Sequence, residues 1–339
     1  MSTRGDFYAV NRSIWAKVCE LGMNESVAYL ALACGSGRDN RTTSWSSQAL
    51  HKYTGITWQR GKTAIDRLIR NGLLKFGVDH SKERPRYELN LPKPRRGGSA
   101  NDDERIWLPN SLVMGTTTGE VPPMRRLRSA GDLWALRLLI DFYYVQNLRD
   151  DGGISPSVLR RLYERTQVGE QGPYIIWGFR EKNSELSWHY PFESHRNRPK
   201  ANQNDSHPVW QSLELLEEMG LLMFVPHLLE NDSGDAEVIH AFGCGSKGEQ
   251  PIETAIGEAA NAAAVEMGDW KIESAEREGY DNFCPILKTL PNVRMVGIAR
   301  LKYRPHTSRT AAWHAHLHET GTSWIAHYRE LQLKAAKCA

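Results

Sequence analysis

Two glycines, Gly55 and Gly72, bracket the segment that most limits what this chain can fold into. Between them Ala64, Ile65, Leu68 and Ile69 recur at helical spacing, so a helix over residues 58–71 carries one apolar stripe. Thr57 stands at its N-cap and Gly72 at the C′ position that ends it. Upstream, Ser44 or Ser46 caps a short helix through Tyr53, with Ala49 and Leu50 inward. Thr54-Gly55-Ile56 is then a tight corner, where glycine supplies the positive φ that a sharp helix–helix turn needs. Asn24 or Ser26 caps an earlier helix over 25–34, and 35–40 reads as a loop. After Gly72, residues 73–78 read as a strand, 79–85 as a polar hairpin tip and 86–89 as the returning strand.

Helix, helix, glycine turn, helix and two-stranded hairpin is a specific order. On the run Gly61-Lys62-Thr63-Ala64-Ile65-Asp66-Arg67-Leu68-Ile69-Arg70-Asn71-Gly72-Leu73-Leu74 and the turn before it, residues 24–90 resemble the winged helix-turn-helix DNA-binding superfamily. Such segments occur in bacterial transcription regulators and in replication initiators of plasmids and phages. The resemblance covers about a fifth of the chain.

Charge supports that reading. Residues 1–100 hold 17 Lys and Arg against 8 Asp and Glu, a net of +9, while the remainder carries a net of −6. A basic module joined to an acidic body is suited to a polyanion. In a helix-turn-helix the first turn of the second helix meets base edges in the major groove. Here those residues are Thr57, Trp58, Gln59, Arg60, Lys62 and Thr63, with Asp66 and Arg67 one turn on. Arg and Gln suit bidentate contacts to guanine and adenine, and Lys and Thr suit phosphates. The hairpin tip offers Lys82, Arg84 and Arg86, and Lys93, Arg95 and Arg96 extend the charge as an arm. The expected partner is double-stranded DNA.

A second segment reads as a diverged copy. It runs from Gly131-Asp132-Leu133-Trp134-Ala135-Leu136 to Met219-Gly220-Leu221-Leu222-Met223-Phe224. Ser155 and Pro156 open an expected helix through Arg165. Ser206 and Pro208 open another over 209–219, whose face carries Glu214, Glu217 and Glu218 and no Lys or Arg. Negative charge disfavours phosphate, so this copy is expected to dock a protein or a second copy of the chain, giving a homodimer. Between its helices, Tyr174-Ile175-Ile176-Trp177-Gly178-Phe179 and Ser187-Trp188-His189-Tyr190-Pro191-Phe192 are expected to pair as strands. Arg196, Arg198 and Lys200 follow, an aromatic and basic mixture that also suits single-stranded nucleic acid.

Beyond residue 245 an Ala-rich helix over 252–267, a strand pair including 293–303, and a last helix from Ser323 are expected. Thr310 to His318 alternates, with Trp313, Ala315 and Leu317 on one face and His314, His316 and His318 on the other, which reads as a strand. His314-Ala315-His316 is similar to the His-hydrophobe-His motif of rolling-circle nucleases, and the resemblance implies a metal on the histidines and Tyr328 as nucleophile. A strand with a histidine-lined face explains the same residues. No phosphate-binding Gly-x-x-x-x-Gly-Lys-Ser/Thr loop and no Gly-x-Ser-x-Gly turn occurs. Five scattered cysteines without a CxxC pair argue against a disulfide framework or zinc knot. No apolar run reaches the roughly 18 residues of a membrane helix, and residues 1–6 lack a signal peptide's apolar block.

The sequence therefore gives an expected α+β protein with tandem winged-helix domains plus a C-terminal α/β extension. The expected divisions are 1–92 for the basic DNA-binding domain, 93–104 for a linker, 105–245 for the acidic winged-helix-like domain with insertion 166–206, and 246–339 for the extension. The expected role is a cytoplasmic, non-enzymatic, sequence-specific DNA binder without cofactor or metal, acting as a transcription regulator or replication initiator of a bacterium or mobile element. An assembly subunit that docks proteins through its winged helices, or a metal-dependent nicking enzyme, are the alternatives.

Overall fold

A computed structural model of the protein describes residues 6–37, 39–90, 104–116, 119–149, 152–200, 205–233, 236–244, 250–304 and 308–338. The fold is mixed α+β with several sheets. The chain divides into two compact units with interleaved segments. Unit 1 takes residues 1–144, 188–221 and 303–306, and unit 2 takes 145–187, 222–302 and 307–339.

The chain enters unit 1 through β1 (Phe7–Asn11), α1 (Arg12–Glu20) and α2 (Met23–Cys34). Every side chain of α2 from Val27 to Cys34 is buried, so it is the central helix of this unit. Next come β2 (Thr42–Thr43), α3 (Ser47–Thr54), α4 (Trp58–Arg70), β3 (Leu74–Phe76) and β4 (Tyr87–Leu89). Ser46 caps α3, its Oγ accepting from the Gln48 amide at 3.3 Å. Gly55 follows at φ +69°, which redirects the chain into α4. Gly61, Ala64, Ile65 and Leu68 are the buried stripe of α4. At its end Gly72 lies at φ +68°. The Leu73 amide reaches the Leu68 carbonyl and the Gly72 amide the Ile69 carbonyl, both at 2.9 Å. That pair of bonds satisfies the last carbonyls of the helix and turns the chain into β3. Strands β2, β4 and β3 form an antiparallel sheet in that order, with Leu74 opposite Leu89 and Phe76 opposite Tyr87. The remaining early elements are β5 (Arg105–Pro109), α5 (Ser111–Met114), α6 (Pro123–Ala130) and α7 (Leu133–Val145). β5 pairs antiparallel with β1.

The chain then forms β6 (Gln146–Asn147), β7 (Gly153–Ile154), β8 (Leu159–Gln171) and β9 (Tyr174–Leu186). It returns to unit 1 for α8 (Glu193–Arg196) and α9 (Val209–Glu218). The rest of unit 2 is β10 (Leu222–Leu229), β11 (Val238–Ala241), α10 (Pro251–Arg277), β12 (Asn282–Leu287), β13 (Arg294–Leu301) and α11 (Ser308–Cys338). Its centre is a six-stranded antiparallel sheet in the order β11-β10-β13-β8-β9-β12. α10 and α11 supply Ile256, Ala260, Ala263, Tyr328 and Leu331 to a core with Phe179, Leu228, Phe242 and Cys284.

Several expectations need correction. The helix expected from Ser155 to Arg165 is strand β8. Ser155 and Pro156 open a single turn, closed by the Val158 and Leu159 amides on the Ser155 carbonyl, and the chain then extends. β8 gains a full-length partner in β9, with cross-strand ion pairs Arg160–Glu185, Arg161–Glu181 and Arg180–Glu164. Such pairing overrides a local helix signal. Residues 187–192 do not pair with 174–179; β9 ends at Leu186 and pairs with β8 and β12. Strands from the expected insertion and from the expected C-terminal extension lie in one sheet, so the 105–245 segment is not self-contained. β12 and β13 do not pair with each other. Thr310 to His318 is helix, the start of α11. Thr310, Leu317, Gly321, Tyr328, Leu331 and Ala335 are buried at intervals that fit one helix face.

Two histidines tie unit 2 to pH. Burial, and next the Arg300 charge, hold His227 well below the usual histidine value. Burial lowers His240 to about 4. His240 donates from Nδ1 to the Ala241 carbonyl and accepts at Nε2 from the Tyr328 hydroxyl at 2.7 Å, which requires a neutral ring. The unfolded chain protonates both histidines below about pH 6.5, whereas folded His240 resists until about pH 4 and His227 is shifted in the same direction. The His240 contribution to stability is full above about pH 6.5 and is lost as the pH falls toward 4, at up to about 1.4 kcal/mol per pH unit, and the His227 contribution is lost in the same direction. Thermal melts across that window should show the midpoint falling; a flat midpoint down to about pH 4.5 would contradict this account.

Candidate nucleic-acid interface

The stripe that buries α4 leaves its other face open. Thr57, Trp58, Gln59, Arg60, Lys62, Thr63, Asp66, Arg67 and Arg70 are all exposed. Trp58 is 50% exposed, unusual for so large an apolar ring. The Lys62 ammonium lies 3.6 Å from the Trp58 ring centroid, one helical turn on. The first turn of α4 thus presents a cation on an aromatic plate beside Gln59 and Arg60. The expected residues are not equivalent, however. Arg67 is bonded at 2.6 Å to the Glu25 carboxylate, which is buried on α2. Its first role is to hold α4 against α2. Thr63 donates its hydroxyl to the Gln59 carbonyl at 3.2 Å.

The turn between β3 and β4 is held by its own backbone. Asp79 takes φ +62°, the Gly77 amide reaches the Arg86 carbonyl, and the Ser81 amide reaches the Arg84 carbonyl. The His80 ring packs on Phe76 at 4.4 Å and Tyr87 at 5.1 Å. Lys82, Arg84 and Arg86 are exposed on this tip, together with Phe76 and Val78. Lys93, Arg95 and Arg96 lie outside the described residues.

One group of cations was not legible in the sequence. α6 starts at Pro123, buries Met124 and Leu127, and turns Arg125 and Arg128 toward the corner between α3 and α4. Arg128 donates from Nε to the Thr54 carbonyl at 2.8 Å and from Nη2 to the Gly55 carbonyl at 3.2 Å. A Cβ on Gly55 would sit 2.9 Å from Arg125 Nε, and the φ of +69° favours glycine at this corner. Burial, then the Arg125 and Arg60 charges, lower the Arg128 pKa, and two guanidinium groups, Arg125 and Arg128, meet the Gly55 turn itself. The signal was Arg125-Arg126-Leu127-Arg128 after a Pro-Pro start. It lies in the acidic remainder of the chain, where a count by segment conceals it.

The other expected chemistry is rearranged. His314 and His316 are two residues apart on helix α11, a spacing at which side chains do not face each other. Tyr328 is fully buried, bonded to His240 and beside Cys284 Sγ at 3.1 Å, so it is not presented as a nucleophile. No three His, Cys, Asp or Glu side chains among the described residues are grouped to hold a metal ion. Glu214 and Glu218 are exposed on α9. No described helix is long and apolar enough to cross a membrane.

Comparison with protein-family models, with curated proteins and with solved structures gives no match.

Proposed function

We propose that unit 1 binds double-stranded DNA in a sequence-selective manner, as a transcription regulator or replication initiator does. In this reading α4 enters the major groove by its first turn. The carrying observation is that turn itself: Trp58, Gln59, Arg60 and Lys62 are exposed together, directly after the Gly55 corner that Arg125 and Arg128 reach. A helix of 13 residues is about 20 Å long and fits a groove about 12 Å wide. Gln59 and Arg60 have the donor geometry for adenine and guanine edges. Lys62, Arg125 and Arg128 suit the phosphates on either side, and Lys82 and Arg84 on the hairpin tip suit a neighbouring stretch of backbone or the minor groove. The order of α2, α3, Gly55, α4 and the β3–β4 hairpin is that of a winged helix. The test is selection of bound fragments from a random-sequence duplex pool. Enrichment of a common short sequence by the wild type is the expected result; recovery of an unchanged pool, or no recovery, would overturn the reading.

A further inference from the structure

Unit 1 contains a second feature that the α4 surface does not use. A cavity of about 750 Å³ lies between the β1–β5 ribbon, the end of α2 and β2. Its size is in the range of small-molecule and nucleotide sites. Phe7 and Trp107 form one wall, packed edge to face at 5.3 Å and 88°. Both rings are more than a third exposed, although each is large and apolar. They sit on one face of the ribbon because Trp107 pairs with Ala9, two residues from Phe7, and side chains alternate along a strand. The Arg105 guanidinium lies 5.5 Å from the Trp107 centroid. Trp45 also lines the cavity, stacked at 4.7 Å on Tyr53 of α3. A Cβ on Gly35 would fall 2.4 Å from the Trp45 ring, so that ring lies directly on the backbone. Ser36, Asn40, Thr42, Ser44 and Asn110 add hydroxyl and amide groups.

The charge of the lining is one-sided. Among the described lining residues Arg86 is charged and none is Asp or Glu; the nearby Asp39 carboxylate is taken up by the Arg41 and Thr42 amides. Arg86 is also a hairpin cation, and Tyr53 is on the helix that precedes the Gly55 corner. The cavity therefore adjoins the proposed duplex surface through the hairpin. Exposed aromatic faces beside guanidinium groups are the chemistry that holds a base and its phosphate.

We propose that this cavity takes an unpaired nucleotide of a DNA strand, its base against the Phe7–Trp107 corner and its phosphate toward Arg86. The inference rests on the duplex-binding reading for its location and goes beyond it in substrate, because it assigns preference for DNA that is locally opened. A strand displaced from a duplex would present such a nucleotide next to α4.

The test measures affinity at fixed salt for a blunt duplex, the same duplex with a short unpaired stretch, oligothymidylate, and free thymidine monophosphate. The opened duplex should bind the wild type about tenfold tighter than the blunt one, the scale of one stacked base. Trp107→Ala should abolish that gain and leave blunt-duplex affinity unchanged, while Trp107→Tyr should restore most of it. Equal affinity for blunt and opened duplex in the wild type overturns the proposal. So does an equal loss on both duplexes in Trp107→Ala that Trp107→Tyr does not reverse, which marks a structural role. If the mononucleotide binds as tightly as the strand, the occupant is a free nucleotide and the strand assignment is wrong. The Arg60→Ala/Lys62→Ala variant separates the two readings. If it keeps full duplex affinity while Trp107→Ala still removes the gain, the α4 reading fails and the cavity assignment stands.

Discussion

In an Arg60→Ala/Lys62→Ala variant, affinity for a selected duplex should fall about a hundredfold and sequence preference should disappear. In the proposed reading Arg60 carries the base-reading part, since one good bidentate contact is worth about 1–3 kcal/mol of discrimination. The same reading gives Lys62 a phosphate part, so its loss alone should weaken all sequences alike and reduce the salt slope by about 1. Both side chains are exposed and neither belongs to the buried stripe of α4, so the variant should melt as the wild type does. Gel shifts with the selected and a scrambled duplex separate the two parts. Unchanged binding by a folded variant would remove α4 from the interface.

The largest stability effect is expected in unit 2. Arg300 and Glu253 meet at 2.5 Å with 2% and 0% of their side chains exposed. Arg300 also reaches His227 Nε2 at 3.0 Å and lies over the Trp313 ring at 4.6 Å. Glu253 Oε2 accepts from the Gln250 amide at 3.0 Å, which caps α10. Glu253→Ala leaves a buried guanidinium without its carboxylate and should cost about 3–5 kcal/mol. Replacing both partners together, Glu253→Leu with Arg300→Met, should cost much less, because apolar pairs of similar size are often neutral in such places. Urea denaturation of the three proteins reads this directly. A single-variant loss below about 1 kcal/mol, the scale of a surface pair, would show that the charges are not held as described.

What the sequence disclosed was local. Ser46, Gly55 and Gly72 act on their immediate neighbours, Thr57 takes the N-cap position of α4 without a side-chain capping bond, and the helices lie within a residue or two of where those signals put them. Ser155 and Pro156 also act locally, but β9 and β13 decide the fate of β8 from a distance. The alternation at Thr310 to His318 fitted two periods, and only the continuation through Gly321, Tyr328 and Leu331 selects the helical one. Arg125 and Arg128 reach the Gly55 corner from some 70 residues away, which no spacing rule anticipates. The aromatic cavity joins Phe7, Trp45, Arg86 and Trp107 from four separate stretches of chain. None of those stretches carries a motif by itself.

The most direct test of the central claim is a titration of the wild-type protein against blunt duplex DNA at about 50 mM and about 200 mM salt. Surfaces that neutralise several phosphates release counterions, so binding should be clear at the lower salt and weaken by about a hundredfold or more at the higher. A folded protein that leaves the duplex unbound at both concentrations would contradict the account. The exposed face of α4 and its neighbouring arginines would then have to be read as a surface for a protein.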